Sequence, residues 1–173
     1  MVIYYCEETI NKRREPRGMD NYKKIIETCA AQEDKYVFES FTRKDAMELG
    51  RLIAENARRT YGTGIAVGVA VNGLKVFQYV DEGATIHNAE WLDRKIATVT
   101  QFHKSSLRVW AEFEDAGITL EGERLNPYQF ALCGGGFPLT VRGAGVIGVI
   151  AASGLPHLDD HQVLIDTLEE FIR

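Results

Sequence analysis

The sequence predicts a single α+β domain in which helices pack on an antiparallel sheet. Three observations lead there. Two β-rich runs, residues 64–71 and 74–80, are joined by Asn72-Gly73, the strongest short hairpin signal a sequence carries. A second pair of runs, over 128–141 and 145–152, shows the same close spacing. Around them lie apolar stripes at helical spacing, and 173 residues suffice for one hydrophobic core. Strands joined by short turns pair antiparallel, so a doubly wound parallel sheet is not expected.

Along the chain, residues 11–18 (NKRREPRG) are basic and broken by Pro16, which reads as a loop or arm. Residues 1–18 are therefore set apart as an N-terminal arm or extension, and 19–173 as the domain. Asp20 is placed to cap a helix carrying Tyr22, Ile25, Ile26 and Cys29 on one face. Tyr36 to Phe38 reads as a short strand. Thr42, with Asp45 at the capping-box position, opens a helix whose stripe is Ala46, Leu49, Ile53, Ala57 and Tyr61, and Gly62 stops it. After the Asn72-Gly73 hairpin, Asn88 is expected to cap one long helix reaching about Glu114, with Trp91, Ile96, Val99, Phe102, Leu107, Trp110 and Phe113 on its stripe. Such a helix would be roughly 40 Å long at about 1.5 Å per residue, more than one small sheet covers, so part of it is expected against a second subunit. Asp159 is expected to cap the last helix, with Val163, Leu164, Leu168 and Phe171 inward.

Composition excludes several function classes. With 20 basic and 25 acidic residues the net charge is −5, without the basic footprint of a general nucleic-acid binder. The most apolar stretch, residues 143–155, is shorter than the roughly 20 residues a membrane helix needs. The three cysteines, Cys6, Cys29 and Cys133, form no C-x-x-C pair, which points to a reducing cytoplasm and away from a disulfide scaffold. No nucleic-acid or membrane partner is expected.

The motifs divide into those with and without a chemical reading. Gly143 to Gly148 matches G-x-G-x-x-G, but its β-branched residues read as strand, where a dinucleotide fingerprint must open a helix. His157 and His161 have the i, i+4 spacing of metal ligands, yet Pro156 and the expected cap at Asp159 put His157 outside the helix, so no metal site is assigned. Ser105 and Ser106 lack triad partners, and no cysteine carries a catalytic signature, so no catalytic residue is assigned. Arg94 and Lys95 beside Trp91 suit an anion. Gly134, Gly135 and Gly136 let a backbone come close either to a ligand or to other packed chain.

Taken in order, Asn88-x-x-Trp91-x-x-Arg94-Lys95, Phe102-x-x-Ser105-Ser106, the Gly134-Gly135-Gly136-Phe137-Pro138 run and Ser153-Gly154-Leu155-Pro156 with Asp160-His161 resemble the haem-degrading/HbpS-like family, in its cytosolic branch of uncharacterised proteins. The resemblance covers about residue 41 to the end. It implies a profilin-like or PAS-like fold and assembly into homo-oligomers. It also implies a ligand site drawn from Trp91, Arg94, Lys95, Ser105, Ser106, Gly134, Gly135, Gly136, Phe137 and His161. The ligand is expected to be a small, anionic molecule bound without strong catalysis. The alternative it implies is haem as cofactor, with His87, His103, His161 or Cys133 as iron ligand. A third reading gives the motif residues to oligomer assembly alone. Two positions depart from the family pattern: Cys133 stands where similar proteins often carry His, and His103 where they carry Gly.

Overall fold

A computed structural model describes residues 19–172; the expected arm at 1–18 lies outside the described residues. The elements are α1 (Met19–Lys35), β1 (Val37–Phe38), α2 (Arg43–Tyr61), β2 (Ala66–Val71), β3 (Leu74–Val80), α3 (Ile86–Phe102), α4 (Ser106–Ala116), β4 (Gly136–Val141), β5 (Gly145–Ser153) and α5 (His157–Phe171). Five strands form one sheet in the order β1-β4-β5-β2-β3. The hairpins β2/β3 and β4/β5 and the central pair β2/β5 are antiparallel, as expected. β1 is not: Val37 and Phe38 pair parallel with Thr140 and Val141. No tight turn ties β1 to β4, so the antiparallel rule for adjacent strands does not reach it.

Local signals account for the helix ends. The Thr42 backbone N–H donates to Asp45 Oδ2 at 2.7 Å and Asp45 N–H donates to Thr42 Oγ1 at 3.3 Å, a reciprocal capping box that satisfies two orphan donors of α2. Gly62 ends the helix with φ 69°. Apolar side chains of α2 and α5, among them Leu49, Ile53, Leu164 and Leu168, meet Val67, Val69, Phe137, Leu139 and Ile150 from one sheet face in the main core.

The other face is made of small residues. Register puts Gly136, Ala151 and Gly68 in one row across β4, β5 and β2, and α3 lies on that row. A Cβ on Gly68 would come within 2.7 Å of Leu92 Cδ2, and one on Gly136 within 2.9 Å of Val99 Cγ2. The strand glycines are thus what lets the helix axis come close. Gly145 to Gly148 belong to β5, so the G-x-G-x-x-G match is sheet.

Five sequence expectations are corrected here. The long helix is two: α3 stops at Phe102, His103 turns the chain with φ 53°, and Ser105 caps α4 by accepting from Arg108 N–H. Neither piece exceeds about 26 Å, so helix length no longer argues for a second subunit. Asn88 is not the cap of α3; Thr85 is, and Asn88 Oδ1 accepts from Thr85 N–H at 2.9 Å from the third helical position. The fourth strand begins only at Gly136, because Thr98 Oγ1 holds residue 131 of the irregular run beside α3 by bonding both Ala131 N–H and Ala131 O. Asp159 and Asp160 lie inside the first turn of α5, after Pro156, so His157 is helical. Asp20 likewise falls within α1.

Candidate functional site

Consecutive residues on a helix point about 100° apart, and Arg94 and Lys95 of α3 divide accordingly. Lys95 points inward. Its Nζ donates to Asp160 Oδ2 at 2.7 Å and to Ala152 O at 2.9 Å, and both charged side chains are about 3% exposed. Asp160 Oδ1 accepts from Leu155 N–H at 3.0 Å. Burial pushes the Asp160 carboxyl pKa up, and the Lys95 ammonium opposes that push.

The glycine run passes directly over this pair. At Gly135, φ 109°, a Cβ would sit 2.7 Å from Lys95 Nζ and 2.8 Å from Asp160 Cβ; at Gly134 it would strike His157 O. Gly136 N–H donates to Ser106 Oγ at 2.9 Å, and both Ser105 and Ser106 are fully buried. Space beside the three glycines is therefore filled by this chain's own atoms. The positive φ and the close approach explain why Gly stands there.

Two imidazoles flank the cluster. His157 Nδ1 accepts from Gly134 N–H at 3.3 Å, and its ring meets Trp110 edge-on at 4.9 Å. His161 Nε2 lies 2.9 Å from Gln32 Oε1 of α1 and its ring is 6.1 Å from Phe137. An amide oxygen only accepts, so Nε2 carries the proton, and the buried Nδ1 is left without a partner among the described residues. Burial lowers both histidines to about 4, with the Lys95 charge adding to the effect on His157. Both are neutral at pH 7.

α1 closes the cluster from outside. Glu33 accepts from Ser105 N–H at 2.8 Å and from Arg108 Nη1 at 2.7 Å. Cys29 bonds the Ser105 side chain, and burial raises its thiol to about 11, so it stays protonated.

Arg94, Trp91 and His87 form a separate, half-exposed ladder on the outer face of α3. Trp91 Nε1 donates to His87 Nε2 at 3.0 Å, and the Arg94 guanidinium carbon lies 4.9 Å from the Trp91 ring centroid. Among the described residues no carboxylate forms an ion pair with Arg94. His103 is exposed at the end of α3, and Cys133 is buried.

The ten expected site residues thus fall into two places. Lys95, Ser105, Ser106, Gly134, Gly135, Gly136, Phe137 and His161 gather inside; Trp91 and Arg94 stand outside. Sequence reasoning missed Gln32 and Glu33, which reach the inner cluster from a helix with no motif of its own. Among the described residues no three His, Cys, Asp or Glu side chains gather as a metal site, and no helix is long and apolar enough to cross a membrane.

Comparison with known proteins follows the same outline. A family model described as haem degrading protein HbpS-like matches residues 41–169. A UPF0303 protein of Streptomyces avermitilis is 39% identical over 148 residues, covering 85% of this chain and 90% of that relative. A UPF0303 protein of Brucella anthropi is 36% identical over 154 residues, covering 88% and 90%. Among solved structures, the Ybr137w protein superposes with a TM-score of 0.78 at 23% identity, over 95% of this chain and 92% of that one. HbpS gives 0.62 at 22%, over 77% and 90%. PduOC in a haem complex gives 0.61 at 19%, over 75% and 94%. At these identities the structures speak for the fold.

Proposed function

The chain belongs to the HbpS-like family of haem-degrading proteins, and on that footing we propose that it is a cytoplasmic homo-oligomer that binds a small anionic molecule without strong catalysis of its own. One observation carries this reading: Arg94 presents a guanidinium stacked on Trp91, at a half-exposed surface, with no carboxylate partner among the described residues. A planar cation against an aromatic face suits a carboxylate or phosphate attached to a flat or apolar body. Lys95 is less suited to this task, because its ammonium already serves Asp160. A thermal-shift screen of anionic metabolites tests the reading. A ligand at about 100 times its Kd adds about 2.7 kcal/mol of stability. The expected result is a rise in the wild-type melting temperature that Arg94→Ala abolishes. No shift with any anion, or an equal shift in the variant, overturns it.

Haem is the second reading, supported by the likeness to PduOC, described as a haem complex. Of the four candidate ligands, His161 and Cys133 are buried, while His87 and His103 are exposed. The residues fit a haem only at the surface, with His87 the better placed because Trp91 offers an apolar flank. Its Nε2 already accepts the indole N–H, leaving Nδ1 for other partners. Haemin titration separates the readings: a sharp, saturable Soret band lost in His87→Ala favours haem, and a broad, non-saturating band counts against it. Should Arg94→Ala and Trp91→Ala instead dissociate the oligomer, these residues serve assembly.

A further inference from the structure

Along α2, Met47, Gly50, Ala54 and Arg58 recur at three- and four-residue spacing and so share the stripe that meets β3. Two of them are small. A Cβ at Gly50 would overlap the Phe77 ring, so the missing side chain lets that ring lie against the helix. One turn on, the short side chain of Ala54 leaves a hollow. The result is a groove of about 360 Å³ between α2 and β3, lined on its apolar side by Met47, Ala54, Phe77 and Tyr79. That volume falls among small-molecule pockets, which hold about 300–1,000 Å³ and are apolar with a few fixed polar groups.

The polar end is built before any ligand arrives. Tyr79 Oη donates to Asp81 Oδ1 at 2.9 Å, and Arg58 grips the same carboxylate with Nε and Nη2. Glu82 N–H donates to it as well, at 2.8 Å. These bonds pin the Tyr79 ring at the groove wall. The Asp81 side chain is only 1% exposed, so it anchors the wall and is itself out of a ligand's reach.

Charge narrows the occupant. Arg51 pairs with Glu55 and Arg58 with Asp81, so the two cations and two anions of the lining cancel within the groove. An anion meets no unpaired guanidinium there, and a cation meets no unpaired carboxylate. Arg58 still has N–H groups to give, since Nη1 has no acceptor among the described residues. A donor on an already neutralised cation suits a carbonyl oxygen.

We propose that this groove binds an uncharged, flat molecule bearing a carbonyl, its ring against Phe77, Tyr79 and Met47 and its oxygen on Arg58. The site is separate from the anion surface at Arg94, because α2 and α3 cover opposite faces of the sheet.

NMR of the full chain, labelled with ¹³C at the methionine methyls, tests this. The chain has three methionines, and Met47→Leu identifies the Met47 signal. Benzamide is the probe; benzoate and benzylamine carry the same ring with a charge of either sign. Benzamide is expected to move the Met47 signal saturably by its ring current. The charged probes, which would bury an unpaired charge, should need about tenfold more for the same shift or leave the signal in place. Ala54→Leu fills the hollow and Tyr79→Ala removes the wall, and each should lose the response while unfolding cooperatively. A Met47 signal that benzamide leaves unmoved overturns the proposal. So does one that a charged probe moves as readily, or a response that survives in either folded variant.

Discussion

Lys95 is the residue at which charge and burial conflict most sharply. An ammonium and a carboxylate about 3% exposed lose their hydration, and their mutual bond with the Ala152, Leu155 and Gly154 backbone groups stands in for it. Replacing Lys95 leaves Asp160 a buried charge without that ammonium beside it. Lys95→Met is expected to cost about 3–5 kcal/mol in urea unfolding, and Lys95→Met/Asp160→Leu to recover most of that loss. The neighbouring histidines set the acid limit. Their folded pKa of about 4 lies below the ordinary value of 6.5, so the unfolded chain takes up protons that the folded one refuses. Their contribution is complete above pH 6.5 and is lost as pH falls through 4. At pH 5 the loss is on the order of 2 kcal/mol for each. Guanidinium unfolding at pH 7 and pH 5 checks this, and His161→Gln should flatten the dependence. Neither effect was legible in the sequence. Lys95 sits in a run of charged residues, and its partner lies 65 positions on, where Asp160 looks like an ordinary first-turn acid.

Among the elements, those governed by contacts three or four residues apart were legible. Thr42 and Asp45 announce α2 because capping is local chemistry, and Asn72-Gly73 announces the β2/β3 hairpin for the same reason. The break between α3 and α4 was hidden. The apolar stripe continues across it, while His103 adopts a left-handed conformation that ordinary residues avoid. His103→Gly should therefore stabilise the fold by about 1 kcal/mol, a rise of roughly 2–4 °C in melting temperature for a chain of this size. If His103 were a haem ligand, the same variant would also lose the Soret band. The strand glycines differ in what they face. Gly68 meets the movable end of Leu92, whereas a Cβ on Gly148 would strike the Ala70 carbonyl of the neighbouring strand. Gly68→Ala is expected to cost about 1–3 kcal/mol. Gly148→Ala should cost distinctly more, and denaturant midpoints of the two variants give the ranking.

For the molecule as a whole, α1 is the component that sequence reasoning underrated. It precedes the family-matched region, yet it supplies Gln32 to His161 and Glu33 to the start of α4. Its pattern shows only an amphipathic face; what that face meets depends on α4 and α5, more than 70 residues away in sequence. Glu33→Ala leaves Arg108 and the Ser105 N–H short of a partner and is expected to cost about 1.5–3 kcal/mol. Amide hydrogen exchange should show faster exchange at Ser105 and along α1, with β2 and β5 protected as before. The parallel seat of β1 was equally hidden, since it follows from where two distant segments meet rather than from any turn.

The strand order carries one more consequence, for the time course of folding. β5 is the hub of the sheet, with β4 on one side and β2 on the other, yet it is the last of the five described strands in chain order. Until residue 153 has been synthesised, the β2/β3 hairpin is an isolated ribbon without its β5 neighbour, and β1 has no strand to join until β4 ends at residue 141. Pairings this distant are slow to close. The nascent chain therefore offers the inner edge of β2 unpaired until β5 is made, a hazard for chaperones to manage and one that ends when β5 zips between β2 and β4.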